Sequence, residues 1–177
     1  TAAIKIGLKA LGVKAGDEVI TQAFNFIATV EAILDLGAKP VIINVNKTLN
    51  MDPLELEKTI NKKTKVVIPV HMLGFSSEMK EIINICKKKK VKILEDNCES
   101  LGGKYQGKYL GTLGQVGALS FDHGKILTTG EGGLVISKNS KLDKYSREYH
   151  DHGHENNPKY SRGEDTKNIY GFNYRMT

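Results

Sequence analysis

The sequence predicts an α/β fold in which a mostly parallel sheet is flanked by helices on both faces, as an α-β-α sandwich. Short apolar runs alternate with helical patterns from residue 1 to residue 96, and two of the helical patterns end at a glycine, Gly12 and Gly37. The length of 177 residues suffices for one domain with a buried core. In such a fold the carboxyl ends of the strands share one edge, and functional residues are expected there.

Each element of the alternation has its own local signal. Helical patterns predict helices over residues 2–11, 26–37, 54–60 and 77–90. The apolar runs between them predict strands over residues 16–20, 39–45, 65–70 and 91–96. Asp52 before Pro53 predicts the start of the third helix, and Ser76 or Ser77 is expected to cap the fourth.

The second half of the chain is richer in glycine and less regular. Its predicted elements are a hairpin or tight loops over 102–117, a strand over 117–122, a glycine-rich loop over 123–133, a strand over 134–137, a helix over 141–150 and a polar loop over 151–167. Loops as long as the last one are often functional.

Composition excludes several classes of protein. The longest apolar run, Val66 to Val70, is far shorter than the roughly 20 residues of a membrane span, so a soluble protein is expected. Cys86 and Cys98 have the spacing of neither a disulfide framework nor a zinc site, which favours a reducing cytoplasm. The chain starts without Met or a signal peptide and is expected to be an internal fragment.

The net charge of +6 raises the alternative of a nucleic-acid-binding protein. The basic residues are almost all lysines, whereas direct readout of bases relies on arginine. The densest run, residues 87–90, lies at the end of a predicted helix, where cations suit the helix dipole and a solvated surface. No nucleic-acid partner is therefore expected.

Two residues near predicted strand ends are candidates for a catalytic role. Asp96 ends the strand over 91–96 and should point into the ligand crevice, although a lone carboxylate there is also typical of a turn. Lys125 lies in a loop of glycines and threonines without a basic neighbour, where loss of water would favour the neutral, nucleophilic amine. The loop does not match a nucleotide P-loop, because Leu119 and Ile126 replace its required residues.

The chain resembles the DegT/DnrJ/EryC1/StrS family of sugar aminotransferases, which depend on pyridoxal 5'-phosphate (PLP). The matching segments occur in family order: TAAI, GDEVITQAFNFIAT, LGAKPVIINV, TKVVIPVHMLG, ILEDNCES, SF…K…TTGEGG and GFNYRMT. The resemblance implies a fold-type I aminotransferase, with residues 1–177 as the PLP-binding large domain. It also implies an upstream arm and a downstream small domain that this fragment lacks.

The resemblance assigns roles at the cofactor. Lys125 matches the lysine that forms an imine with PLP and moves protons, and Asp96 matches the aspartate that keeps the pyridine nitrogen protonated. Phe26 matches the aromatic residue stacked on the ring, with core packing as the alternative. The implied phosphate ligands are Thr1 and Ala2 at a helix N-terminus, Ser120, and Asn173, which reaches the neighbouring subunit of a dimer.

Two positions depart from this simple picture. Glu99 replaces a glutamine common in the family beside the phenolic oxygen of the cofactor, where a carboxylate would be repelled unless it is protonated or turned away. His123 lies two residues before the retained Lys125; a family branch with His instead of that lysine performs dehydration, so transamination is favoured here. Arg175 is either structural or a contact to a carboxylate or phosphate.

Three histidines, His150, His152 and His154, alternate in the polar loop. They suggest substrate contact or a plain loop more than a zinc site, because no cysteine or ordered carboxylate accompanies them. No metal is expected, and His123, His152 and Arg175 are the candidate substrate contacts. The phrases FDHGK and EDNCE most resemble the subgroup that aminates an eight-carbon 3-deoxy-octulosonate at its terminal aldehyde.

The sequence therefore predicts a cytoplasmic aminotransferase that moves an amino group from a donor such as glutamate onto a carbonyl sugar. The sugar would be nucleotide-linked or of the 8-oxo-3-deoxy-octulosonate type, for cell-surface polysaccharide or secondary-metabolite biosynthesis. A homodimer with shared active sites is expected, without a membrane partner. The alternatives are a PLP- or PMP-dependent sugar dehydratase of the same family and a noncatalytic regulatory or nucleic-acid-binding protein.

Overall fold

A six-stranded sheet forms the centre of the computed structural model, which describes residues 1–155, 157–161, 163–165 and 169–176. Its strands are β1 (Glu18–Gln22), β2 (Lys39–Ile43), β3 (Thr64–Ile68), β4 (Lys92–Asp96), β7 (Val116–Ser120) and β8 (Gly133–Ile136), and a separate hairpin consists of β5 (Lys104–Tyr105) and β6 (Lys108–Tyr109). The spatial order is β2-β1-β3-β4-β7-β8. All neighbours are parallel except the pair β7 and β8, which is antiparallel.

The described residues form five α-helices: α1 (Ala2–Ala10), α2 (Ile27–Leu34), α3 (Pro53–Thr59), α4 (Met79–Lys89) and α5 (Ser140–His150). The first four contact the sheet, and α5 packs on α1. Successive residues of β3 alternate between two apolar cores. Val66 and Ile68 pack in the core that contains residues of α1 and α2, whereas Val67 packs in the core that contains residues of α3 and α4. The predicted sheet with helices on both faces is thus confirmed.

Helix starts agree with the sequence signals in one case and not in another. The Asp52 side chain accepts a hydrogen bond from the Leu54 N–H at 2.8 Å, as predicted for the cap of α3. The predicted serine cap of α4 is wrong, because the helix follows Glu78 without a side-chain cap. The Ser77 hydroxyl instead donates to the carbonyl oxygen of Val70 at 3.1 Å.

The glycine-rich second half contains both predicted connections. The hairpin of β5 and β6 turns at Gln106 and Gly107, which both have positive φ, at 48° and 78°. The loop over 121–132 joins the adjacent strands β7 and β8 and is closed at its base, where Ser120 pairs with Gly133. Lys125 lies in this loop.

The polar loop begins at its predicted position, directly after α5 ends at His150. Its described parts contain neither helix nor strand, although Asp151 forms an isolated bridge with Asn173. Asn156, Arg162, Thr166 and Lys167 of the predicted loop lie outside the described residues. Among the described residues, no helix combines the length and the apolar character that crossing a membrane requires.

Candidate active site

A cavity of about 780 Å³ opens at the carboxyl edge of the parallel strands. Its walls come from the ends of β4 and β7, the N-termini of α1 and α2, the start of β8, and one side of α5. Its size is within the range of small-molecule sites. Eight of the candidate cofactor and substrate residues line it: Thr1, Ala2, Phe26, Asp96, Glu99, Ser120, His123 and Lys125.

Asp96, the last residue of β4, is 3% exposed and fixed by two hydrogen bonds. The Thr29 hydroxyl donates to Oδ2 at 2.7 Å, and the Cys98 N–H donates to Oδ1 at 3.2 Å. Thr29 belongs to α2 and Cys98 to the turn after β4, so both sides of the carboxylate are held. A buried carboxylate oriented in this way is suited to face a cationic ring nitrogen.

Lys125 projects from its loop into the cavity and forms an ion pair with Glu99. Its Nζ lies 5.8 Å from the centroid of the Phe26 ring, which is two-thirds exposed. Burial alone lowers the pKa of Lys125, but the hydrogen bond and charge of Glu99 outweigh it and the net pKa is raised. The expectation that loss of water makes Lys125 neutral is therefore wrong, because Glu99 stabilises its charge.

The part of the cavity wall at the N-terminus of α1 is suited to an anion. The first turn of α1 begins after Thr1, whose side chain makes no capping hydrogen bond, so the backbone N–H groups at this helix end face the cavity without that partner. Gly133 permits the close approach of β8, since a Cβ there would lie 2.9 Å from the carbonyl oxygen of Leu119 and 3.4 Å from the Ala3 Cβ. Ser120 adds a hydroxyl at the same edge.

Three predicted residues, Asn173, His152 and Arg175, do not line this cavity. Arg175 Nε donates to Asn173 Oδ1 at 3.0 Å and lies 3.2 Å from a carboxylate oxygen of Asp151. Arg175 thus makes structural contacts within the chain. His152 has a positive φ of 55° in the turn after α5.

Asn173 is exposed on the outer side of the C-terminal segment. The rings of its neighbours Phe172 and Tyr174 lie 5.1 and 5.5 Å from the Lys5 amine of α1. This aromatic contact anchors the segment on α1, and it leaves the Asn173 side chain at the surface of the chain.

The three alternating histidines divide between two places: His150 lies at the cavity, whereas the rings of His152 and His154 pack edge to face away from it, with centroids 6.3 Å apart. His150 lines the cavity, with Nδ1 2.5 Å from the carbonyl oxygen of Arg147. His154 Nδ1 lies 2.9 Å from a carboxylate oxygen of Asp165. Within the described residues, the group with metal-ligand spacing is instead Asp122, His123 and Glu131 at the cavity. His123 and Glu131 are exposed, and His123 already shares a hydrogen bond with Asp122 at 3.0 Å.

Sequence reasoning did not identify Thr29 and Cys98 at the site. Thr29 lies three residues after Phe26, a spacing that places both near the same helix start, and this signal could have found it. Cys98 gives no such signal. Burial strongly raises the pKa of its thiol, with Asp96 adding to the shift, so Cys98 is an unreactive wall of the cavity.

Comparison with known proteins gives a consistent result over the whole chain. The model of the DegT/DnrJ/EryC1/StrS aminotransferase family matches residues 1–177. GDP-perosamine synthase from Escherichia coli O157:H7 is 38% identical over 178 residues, which cover 100% of this chain and 48% of the relative. The chain thus spans less than half of the length of that relative.

Solved structures superpose on nearly the whole chain. The aminotransferase from Psychrobacter cryohalolentis superposes with a TM-score of 0.91 and 32% identity, covering 98% of this chain and 46% of the other. NtdA from Bacillus subtilis, solved with bound cofactor PMP, superposes with a TM-score of 0.89 and 36% identity, covering 99% of this chain and 39% of the other. The predicted fold-type I aminotransferase architecture is confirmed.

Proposed function

The chain belongs to the DegT/DnrJ/EryC1/StrS aminotransferase family, and from this premise we propose that it is the PLP-binding large domain of a sugar aminotransferase. The enzyme transfers an amino group from an amino-acid donor such as glutamate to a carbonyl carbon of a sugar. The observation that carries the proposal is the convergence of Lys125 and Asp96, from separate segments, in one cavity with a helix N-terminus.

The residues of the cavity fit PLP in charge and shape. The N-terminus of α1 and the Ser120 hydroxyl suit a phosphate, the exposed ring of Phe26 suits stacking, and Asp96 suits a protonated ring nitrogen. Lys125 offers an amine to the aldehyde carbon. When bound, PLP supplies an electron sink and carries the amino group between donor and acceptor.

The chain's own groups divide the work of proton transfer. Asp96 keeps the ring nitrogen protonated, because its buried carboxylate is held by Thr29 and Cys98 and favours a cation beside it. Lys125 would hold the cofactor through its amine, and it would move a proton at the reacting carbon while that amine is free. The carboxylate of Glu99 is turned to the lysine, where it accepts a hydrogen bond from the Lys125 ammonium group and stabilises its charge.

For the sugar substrate, the proposal covers two chemical classes. The sugar is nucleotide-linked or of the 3-deoxy-octulosonate type, with His123 at the cavity as a candidate contact. His152 and Arg175 remain candidates only from a partner subunit, because neither lines the cavity of its own chain. We propose a cytoplasmic homodimer in which Asn173 contacts the phosphate bound by the partner.

The alternatives fit the site less well. A lysine-independent dehydratase does not need an amine at the position where Lys125 enters the cavity. A noncatalytic regulator or nucleic-acid binder does not need the pairing of a buried Asp96 with a lysine and a helix N-terminus.

The visible spectrum of the full-length protein with added PLP tests the proposal. Covalent binding at Lys125 should produce an absorption band distinct from that of free PLP. Glutamate alone should convert it to the band of the aminated cofactor, and a keto-sugar should restore it. A spectrum that stays that of free PLP would overturn the proposed function, and loss of water from the sugar without an amino donor would favour the dehydratase.

A further inference from the structure

A second carboxylate next to Asp96 is buried on the opposite face of the sheet. The side chains of Glu95 and His71 are both 0% exposed, with His71 Nε2 3.1 Å from Glu95 Oε2. The Gly111 N–H donates to Oε2 at 2.9 Å, and the N–H groups of Leu113 and Gly114 donate to Oε1 at 2.6 and 2.5 Å. Glu95 therefore joins three segments of the chain that are distant in sequence.

The hydrogen bonds fix the proton arrangement of this network. The Ser77 N–H donates to His71 Nδ1 at 3.1 Å, so Nδ1 is an acceptor and Nε2 carries the proton that His71 donates to Glu95. Glu95 thus accepts four hydrogen bonds. Burial raises the pKa of Glu95, but the bonds from His71, Gly114 and Gly111 outweigh it and the net pKa is lowered.

The network is also tied to the backbone of Asp96. The His71 N–H donates to the carbonyl oxygen of Asp96 at 3.0 Å, and the Asp96 N–H donates to the carbonyl oxygen of Pro69 at 3.0 Å. His71 therefore contacts Glu95 through its side chain and Asp96 through its backbone. Because side chains alternate along a strand, fixing Glu95 on one face sets the direction of Asp96 on the other.

From these contacts we infer that Glu95 is a positioning residue, which orients Asp96 toward the ring nitrogen of bound PLP by anchoring the end of β4 to His71 and to the loop over 111–114. The inference rests on the proposed function. None of the contacts of Glu95 with these segments reaches the cavity, and Glu95 itself does not line it.

The variant Glu95→Gln isolates this role because all four partners of Glu95 are donors. Two donors face each oxygen of the Glu95 carboxylate. In glutamine an NH₂ group replaces one of these oxygens, so it must point at two donors and cannot accept a hydrogen bond from either. His71 cannot become an acceptor at Nε2, since Ser77 requires Nδ1 as the acceptor. The amide is therefore expected to shift the end of β4, and Asp96 with it, without changing the chemical identity of any side chain that lines the cavity.

The test compares the affinities of the full-length protein for PLP and for the deaza analogue in which carbon replaces the ring nitrogen. The wild type should prefer PLP, because only PLP offers the proton that Asp96 stabilises. Glu95→Gln should reduce this preference by about tenfold, close to the effect of Asp96→Asn. His71→Leu removes one donor to Glu95 and keeps the three backbone donors, so the variant should fold. Its preference for PLP over the deaza analogue should fall by roughly threefold.

The control variant Leu56→Ala creates a cavity in the core on the same face as Glu95, in α3, which contributes no residue to the network. It should lower the melting temperature yet keep the wild-type preference for PLP. An unchanged preference in both Glu95→Gln and His71→Leu would overturn the inference, as would an equal loss of preference in Leu56→Ala.

A crystal structure of Glu95→Gln without cofactor separates this inference from the proposed function. The hydrogen bond between Thr29 Oγ1 and Asp96 should be lost or displaced in the variant. If the wild type fails to bind PLP, the proposed function fails, and the position of Asp96 in this structure still decides whether Glu95 orients it. An unmoved Asp96 carboxylate would overturn the inference.

Discussion

The amine of Lys125 and the carboxylate of Glu99 form an ion pair inside the cavity, with side-chain exposures of 18% and 31%. The pair keeps the lysine charged, whereas attack on an aldehyde requires the neutral amine. Because the pKa of Lys125 is raised, the reactive fraction of the lysine increases only at higher pH than for an ordinary lysine.

The variant Glu99→Gln should therefore capture PLP faster at neutral pH. Without the carboxylate, burial is the dominant influence left and lowers the pKa of Lys125, so the pH profile of capture should move to lower pH. Stopped-flow absorbance at several pH values measures this shift. Glu131→Gln, an exposed carboxylate at the same cavity, is the control and should leave the profile in place.

Reduction of the PLP-loaded enzyme with borohydride should attach the pyridoxyl group to Lys125. Lys125→Arg keeps a cation beside Glu99 but lacks the amine that forms the imine, so turnover and covalent labelling should vanish while some noncovalent binding survives. Peptide mapping identifies the labelled residue. A label on any other lysine contradicts the assignment.

The variant Asp96→Asn should slow both half-reactions with little change in the size of the side chain. Loss of the charge beside the ring nitrogen should raise the barrier to proton abstraction by several kcal/mol, at roughly 1.4 kcal/mol for each tenfold loss of rate. Single-turnover kinetics with glutamate measures it. Thr29→Val removes only one hydrogen bond to Asp96 and should raise the barrier by less. Near-normal rates in Asp96→Asn would assign Asp96 a purely structural role.

Mixing two inactive full-length variants, Lys125→Ala and Asn173→Asp, should restore part of the activity. In a mixed dimer with shared sites, one site receives both changes and the other receives neither. Activity after refolding of the mixture, compared with each variant alone, measures the rescue. Mixed dimers without activity would mean that Asn173 acts within its own chain.

Gly117→Ala should strongly destabilise the fold. A Cβ at Gly117 would lie 2.1 Å from the carbonyl oxygen of Gly111, a backbone atom that cannot rotate away. We expect a cost of at least about 3 kcal/mol in the free energy of unfolding. Gly124→Ala is the matched control, because its nearest contact is a carboxylate oxygen of Asp122 at 3.4 Å. Urea denaturation compares the two.

The sequence allowed the sheet, its flanking helices and the direction of Asp96 to be predicted, because strand and helix periods and the strand-end rule are local signals. The joint presence of Asp96 and Lys125 was predictable from ordered family segments. The partner of Lys125 was not, because the contact with Glu99 depends on how the loop over 121–132 folds back toward the turn after β4.

The network of Glu95 was missed for a related reason. Its donors come from His71, three residues after the end of β3, and from residues 111–114, and no pattern within either segment specifies a buried carboxylate as the acceptor. Ser77 is likewise a residue type that often caps helices, but its hydroxyl donates to the buried carbonyl oxygen of Val70 instead.

The closed base of the loop between β7 and β8 has a mechanical consequence for the reacting amine. Beyond the pairing of Ser120 with Gly133, the Phe121 N–H donates to the Gly132 carbonyl oxygen at 2.9 Å and the Thr129 N–H to the Phe121 carbonyl oxygen at 3.0 Å. The attachment point of Lys125 is thus clamped to the sheet. In the proposed reaction, the amine would therefore reach successive atoms by rotation about the bonds of its four methylene groups, and the length of this side chain would set its reach.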